Sequence, residues 1–203
     1  MAEVECFFDC SSPWTYFAFE SLLRMQDEIG VSINWRPFLV GGVFNAVNQS
    51  VYNTRDTPVP AKKAYGEKDQ QDWARHLGLT IHYRPSVFPV NSVKAMRACI
   101  VLAAEDKLVP FARAAFKAYW TDDQDISKVP VLAGICDTLG IDSEKLFAAI
   151  EQQPVKDMLR ANTQEAIDRG SFGSPTMFVG GDDMYFGNDR MPLVKDAVLR
   201  RRS

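Results

Sequence analysis

The chain has 203 residues, 46% of them hydrophobic and 24% charged, which suits one cored domain, or one domain carrying a large insertion, and excludes a disordered chain. Its 23 Lys and Arg against 26 Asp and Glu leave a net charge of −3 with the basic residues scattered, so nucleic acid is not an expected partner. No apolar stretch is long enough to span a bilayer and the N-terminus MAEVECFFDC lacks a basic segment followed by an apolar one, so no membrane partner and no signal peptide are expected, and the chain reads as cytoplasmic.

Residues 4–8, Val-Glu-Cys-Phe-Phe, predict a short buried strand. Ser12 then stands as the N-cap, and Pro13 as the first helical residue, of a helix that runs to Gly30. Val31, Ile33 and Trp35 alternate with Ser32, Asn34 and Arg36, which predicts a second strand ending at Pro37. From about residue 40 to 153 no strand pattern appears. Helical segments follow one another there, broken by Gly78, Pro85, Pro89, Pro110, the acidic loop 122–125, Gly140 and Pro154, with Ser127 and Ser143 placed as N-caps. A helix ending at Gly170 leads to a strand and tight turn over 176–181, a hairpin partner at Met184-Tyr185-Phe186, and a last helix after Asp189. The order β-α-β, helical block, α-β-β-α predicts an α/β chain of thioredoxin-like fold. That domain is made from 1–40 and 154–203, with an all-helical domain over 41–153 inserted after the second strand.

Two proline contexts carry the fold reading: Ser12-Pro13-Trp14-Thr15 at a helix start, and Gly173-Ser174-Pro175-Thr176 before a strand. A thioredoxin-type active site would hold Cys-x-x-Cys at the first of these. Here the two positions are Ser12 and Thr15, so the chain cannot exchange disulfides there, and a thiol has to arrive with a cofactor. The four cysteines, Cys6, Cys10, Cys99 and Cys136, have neither metal-ligand nor disulfide-scaffold spacing and read as core residues, so no metal is expected. Cys10, two residues before Ser12, also has a reading as a reactive thiol. A serine nucleophile needs a base, and the only histidines, His76 and His82, lie in the helical block with no triad context.

These motifs resemble those of the kappa-class glutathione transferases and the bacterial 2-hydroxychromene-2-carboxylate isomerases, over nearly the whole chain. The resemblance implies glutathione as cofactor, with Ser12 donating to its sulfur at a helix N-terminus, where a docked thiol is acidified by about one unit or more. It implies a cis bond before Pro175 that presents the Ser174 backbone to the cysteinyl part. Asn188 and Asp189, in Gly187-Asn188-Asp189-Arg190, would take the γ-glutamyl carboxylate and ammonium. Asn53 and Lys62 resemble the loop and helix start that contact glutathione, Lys62 or its neighbour Lys63 meeting the glycyl carboxylate. Phe88 and Asn91, in Phe88-Pro89-Val90-Asn91-Ser92, match the isomerase branch as substrate contacts. Trp14, Tyr119, Trp120 and Tyr185 are candidates for an apolar substrate pocket, and Arg84, Asn53 and Asn91 for the polar groups that hold a substrate carboxylate and hydroxyl. The expected activity is glutathione-dependent isomerisation of a small aromatic hydroxychromene carboxylate to its trans-hydroxybenzylidenepyruvate. The alternatives are a kappa-class transferase, a DsbA-like disulfide oxidoreductase and an inert thioredoxin-fold binding protein. Family precedent implies a homodimer.

Overall fold

Strand β1 (Val4–Phe8) lies inside a sheet of order β2-β1-β3-β4, parallel to β2 (Ile33–Pro37) and antiparallel to β3 (Thr176–Val179), which pairs antiparallel with β4 (Asp183–Phe186). This arrangement comes from a computed structural model that describes residues 3–203. Helix α1 (Pro13–Ile29) joins the parallel pair. It begins with Ser12 capping the Thr15 N–H and stops at Gly30, whose left-handed φ of 64° lets its N–H reach back to Gln26.

Between β2 and β3 come α2 (Val40–Val47), α3 (Ser50–Asp56), α4 (Pro60–His76), α5 (Val93–Leu102), α6 (Leu108–Trp120), α7 (Val129–Thr138), α8 (Ser143–Ile150) and α9 (Gln153–Asp168). A 3-10 turn over 188–190 leads into α10 (Met191–Arg202). The expected thioredoxin-like order with a helical block after the second strand is therefore observed. Two expected caps are not. Asp142 rather than Ser143 caps α8, accepting from the Lys145 N–H at 3.0 Å, and α7 follows Lys128 with no side-chain cap. The Ser127 N–H is instead taken by Asp125 at 2.9 Å, so an acidic side chain outcompetes the neighbouring hydroxyl at both places.

The pleat sends alternate β1 residues to opposite faces of the sheet. Cys6 and Phe8 join a core with Phe17, Phe19 and Leu22 of α1, while Phe7 joins Phe38, Phe178, Val40, Val43 and Ala166 under α2 and α9. The first core continues without a break into the helical block: the Phe116 ring of α6 stacks on Tyr16 at 5.1 Å and lies 5.3 Å from Phe19 and 6.4 Å from Phe8. On the second face Arg36 pairs with Glu5 at 2.9 Å and with Glu165, and Arg169 meets Glu5 and Glu165, both at 3.0 Å. The Arg169 guanidinium also covers the Phe178 ring at 3.7 Å. Among the described residues no helix is long and apolar enough to cross a membrane.

Candidate active site

The two proline motifs, far apart in sequence, meet because β1 and β3 are hydrogen-bonded neighbours. Ser12 Oγ accepts the Thr15 N–H at 3.3 Å and donates to the Ser174 carbonyl at 3.2 Å, and the Thr15 and Ser174 hydroxyls stand 2.6 Å apart. The Ser174–Pro175 peptide is cis, as expected, and so is Phe88–Pro89. Position 15, which a disulfide enzyme would give to its resolving cysteine, is thus a buried threonine tying α1 to the strand turn. Pro13 has no N–H and the Thr15 N–H is occupied, so the Trp14 N–H, which has no acceptor among the described residues, is the backbone donor left at this helix end. The Ser12 hydroxyl and this helix terminus together form an anion-stabilising point.

Ser12 and Ser174 open onto a cleft of about 680 Å³, within the size range of small-molecule sites. Arg55, Lys62, Lys63 and Arg84 line it against one acid, Asp9. A protein of negative net charge therefore surrounds this cleft with cations. Asp9 is buried and accepts from the Ser11 N–H at 2.9 Å and the Val40 N–H at 3.0 Å. Burial pushes its carboxyl above the usual range, while its bonds to Ser11, Ser92 and Val40 pull the other way. It fastens the β1–α1 turn to α2 and to the approach to α5, both of which wall the cleft.

Several other expected residues reach the same space: Trp14, Phe88, Asn91 and Trp120, besides Lys62 and Arg84. Trp120 is held by its Nε1 donating to the Cys10 carbonyl at 3.0 Å, and Asn91 accepts the Val93 N–H at 3.0 Å at the start of α5. Both Lys62 and Lys63 line the cleft.

Six expected residues lie outside the lining. Tyr185 is in β4, where its hydroxyl donates to Asp183 at 3.0 Å. Asn53 is in α3, where Val51, Thr54 and Arg55 share the cleft-facing side at i, i+3 and i+4 and Asn53 falls off it. Tyr119 is buried, its hydroxyl donating to the Val87 carbonyl at 2.9 Å, so it braces the loop behind the cleft wall. Pro175 is buried behind Ser174. The Gly187 N–H donates to the Pro175 carbonyl at 3.2 Å, which sets Asn188 and Asp189 behind the proline turn. Asn188 is buried there and Asp189 is exposed, paired with Arg190 at 2.8 Å.

Arg55 is the cation that the sequence reading missed; its signal was present two residues beyond Asn53, in a segment whose helical phase was not assigned. Phe44, Tyr52, Phe172 and Phe186 also contribute to the lining. Cys10 does not: it is fully buried, donates its N–H to Met96 Sδ at 3.4 Å, and burial pushes its thiol far above the usual range. No cysteine and neither histidine lines the cleft, so it has no nucleophile–base pair of its own.

A family model for the DSBA-like thioredoxin domain matches residues 3–199. A 2-hydroxychromene-2-carboxylate isomerase of Pseudomonas sp. (strain C18) is 30% identical over 199 residues, 96% of this chain and 89% of that one. Glutathione S-transferase kappa 1 of Homo sapiens is 28% identical, covering 94% of this chain and 88% of that one. Among solved structures, a 2-hydroxychromene-2-carboxylate isomerase superposes with a TM-score of 0.85 at 25% identity over 98% of this chain and 95% of that one. These relatives carry the names of enzymes, and their similarity spans the β1–α1 turn, the helical block and the Ser174–Pro175 turn alike. This chain belongs to the DsbA-like thioredoxin family, in the group formed by the 2-hydroxychromene-2-carboxylate isomerases and the kappa-class glutathione transferases.

Proposed function

We propose that this protein is a glutathione-dependent isomerase acting on a 2-hydroxychromene-2-carboxylate or a closely similar aromatic acid. The observation that carries the reading is the meeting of Ser12, at the start of α1, with Ser174, before Pro175, on a cationic cleft that contains no cysteine. The residues suit the tripeptide. Ser12 and the Trp14 N–H suit a sulfur anion, the Ser174 backbone suits the cysteinyl segment, and Lys62 and Lys63 suit a carboxylate. Asp189, exposed but outside the cleft lining and paired with Arg190, would have to give up that pair to offer its carboxylate to an ammonium.

Glutathione, when bound, supplies the thiolate nucleophile that the chain lacks, regenerated after an isomerisation and consumed in a transfer. The chain's own contribution is positional and electrostatic. The Ser12 proton, now given to the Ser174 carbonyl, can turn toward a docked anion, and the Thr15–Ser174 hydroxyl pair holds the two walls in register while it does so. Trp14, Phe88 and Trp120 supply apolar surface against an aromatic ring.

The test is conversion of 2-hydroxychromene-2-carboxylate followed by absorbance, with and without glutathione. Conversion that requires glutathione and leaves its concentration unchanged is expected. Conversion without it, or none with it, overturns the reading. The similarity to human glutathione S-transferase kappa 1 favours one second reading, conjugation of electrophiles, which consumption of glutathione with a chloronitrobenzene would reveal. A cytoplasmic location and a homodimer complete the proposal; light scattering on the purified protein checks the dimer.

A further inference from the structure

Two of the four cleft cations are mounted differently from the others. The Arg55 guanidinium lies 5.5 Å from the Phe44 ring centre and 5.6 Å from that of Phe88, and the Arg84 guanidinium lies 5.5 Å from the same Phe88 ring. Neither makes a side-chain hydrogen bond or an ion pair among the described residues, whereas Arg36, Arg113, Arg169 and Arg202 all engage carboxylates. A guanidinium attracted to a ring keeps its N–H fork unspent, and that fork matches a carboxylate in a bidentate way. Arg84 also occupies a left-handed backbone position, φ 53°, that glycine or asparagine would occupy at lower cost.

We propose that Arg55 and Arg84 form a carboxylate clamp around Phe88 that makes the second-substrate end of the cleft selective for planar aromatic acids over neutral aromatics. The inference deepens the glutathione-dependent reading, since it assigns the acid group of that reaction's substrate to these two side chains and leaves Lys62 and Lys63 for the tripeptide. Phe88 serves two purposes in this arrangement: it holds both cations by its quadrupole and presents apolar surface to the ring that the carboxylate is attached to. Asp9, the one acid on the cleft, is already committed to the Ser11 and Val40 N–H groups. An incoming anion therefore meets the clamp without a bound competitor.

Calorimetric titration of the full-length protein with 2-naphthoate and with its neutral counterpart 2-naphthamide tests the clamp without any turnover. Naphthoate is expected to bind at least about tenfold more tightly than the amide, the scale of hydrogen bonds to charged groups. R55Q and R84Q should each narrow that preference several-fold, and the double variant should abolish it while changing amide affinity by less than about twofold. Raising salt from 50 to 500 mM should shrink the wild-type preference. Equal affinities in the wild type, no naphthoate binding, or a preference that survives in the double variant overturns the proposal. Glutathione titrated into the same proteins separates the two claims. Loss of glutathione affinity in the double variant with the naphthoate preference intact reassigns the arginines to the tripeptide and also overturns the clamp. A wild type that prefers naphthoate yet binds no glutathione leaves the clamp standing and defeats the function proposed above.

Discussion

Ser12 has two partners in the structure, and each predicts a different consequence of its loss. As N-cap it accepts the Thr15 N–H, and an N-cap serine replaced by alanine costs about 1 kcal/mol, so Ser12→Ala should remain folded with a modestly lower Tm. As a donor it is directed at the Ser174 carbonyl, at the mouth of the helix terminus where an anion would sit. Removing one such donor costs about tenfold to a thousandfold in turnover. Steady-state rates at saturating glutathione, beside a thermal melt, distinguish the two effects; a full wild-type rate in a folded Ser12→Ala protein would remove Ser12 from the mechanism. Tyr119 gives the opposite pattern. Its hydroxyl is spent on the Val87 carbonyl and its ring is buried, so Tyr119→Phe should lower stability by about 1 kcal/mol, a shift of roughly 2–4 °C in Tm for a chain of this size. Substrate KM should stay within about twofold, and a large KM rise would return Tyr119 to the pocket.

Each element was readable where one physical constraint dominated its sequence. Strand β1 is nearly continuous in apolar residues because both of its faces are covered, and Pro13 and Gly30 punctuate α1 at both ends, so these bounds could be read directly. Helix α3, Ser-Val-Tyr-Asn-Thr-Arg-Asp, has no buried residue to set its phase, so no local pattern pointed to Arg55, and Asn53 rested on the family resemblance. At the end of α6, Tyr119 and Trp120 are adjacent, and a helix turns about 100° between neighbours; the pair was legible as aromatic, but not which ring reached the cleft. The position of Asn188 and Asp189 behind Pro175 depended on a tertiary hydrogen bond from Gly187 that no local pattern encodes. Helix α10 adds a consequence in pH. Its last residue, Arg202, pairs with Glu3 at 2.6 Å and donates to the Ile29 carbonyl at 2.7 Å, closing α10 onto the edge where α1 ends. The Arg202 hydrogen bond, with one from the Ser32 backbone, lowers the Glu3 carboxyl from 4.5 to about 2. Its contribution is complete above pH 4.5 and drains away as pH falls toward 2. Since the pair is largely solvated, the effect on stability is small. Arg202→Ala should therefore melt slightly below wild type at pH 6, with the gap closing by pH 2 to 3; a gap independent of pH would mean that the Ile29 contact alone matters.

The sequence divides into a thioredoxin-like part and a helical block, yet the cleft is built from both: Ser12 and Ser174 come from the first, Arg55, Lys62, Phe88 and Trp120 from the second. A site shared in this way needs the two parts held at a fixed offset, and the continuous core supplies that. Phe116 of α6 packs against Tyr16 and Phe19 of α1 and Phe8 of β1, while Trp120 hydrogen-bonds the Cys10 carbonyl at the end of the β1 turn. The helical block has no core apart from this one, and the thioredoxin-like part keeps only the small cluster around Phe7, Phe38 and Phe178, so neither part should survive the loss of the other. Unfolding in urea, followed by far-UV circular dichroism for the helices and by tryptophan fluorescence for the cleft, is expected to give one coincident transition. Phe116→Ala, which empties the shared contact, should lower its free energy by about 3–5 kcal/mol and keep the two signals superimposed. Two resolved transitions in the wild type, or a Phe116→Ala protein in which the helical signal persists after the fluorescence change, would show that the parts fold independently and that the cleft is held together by its rim alone.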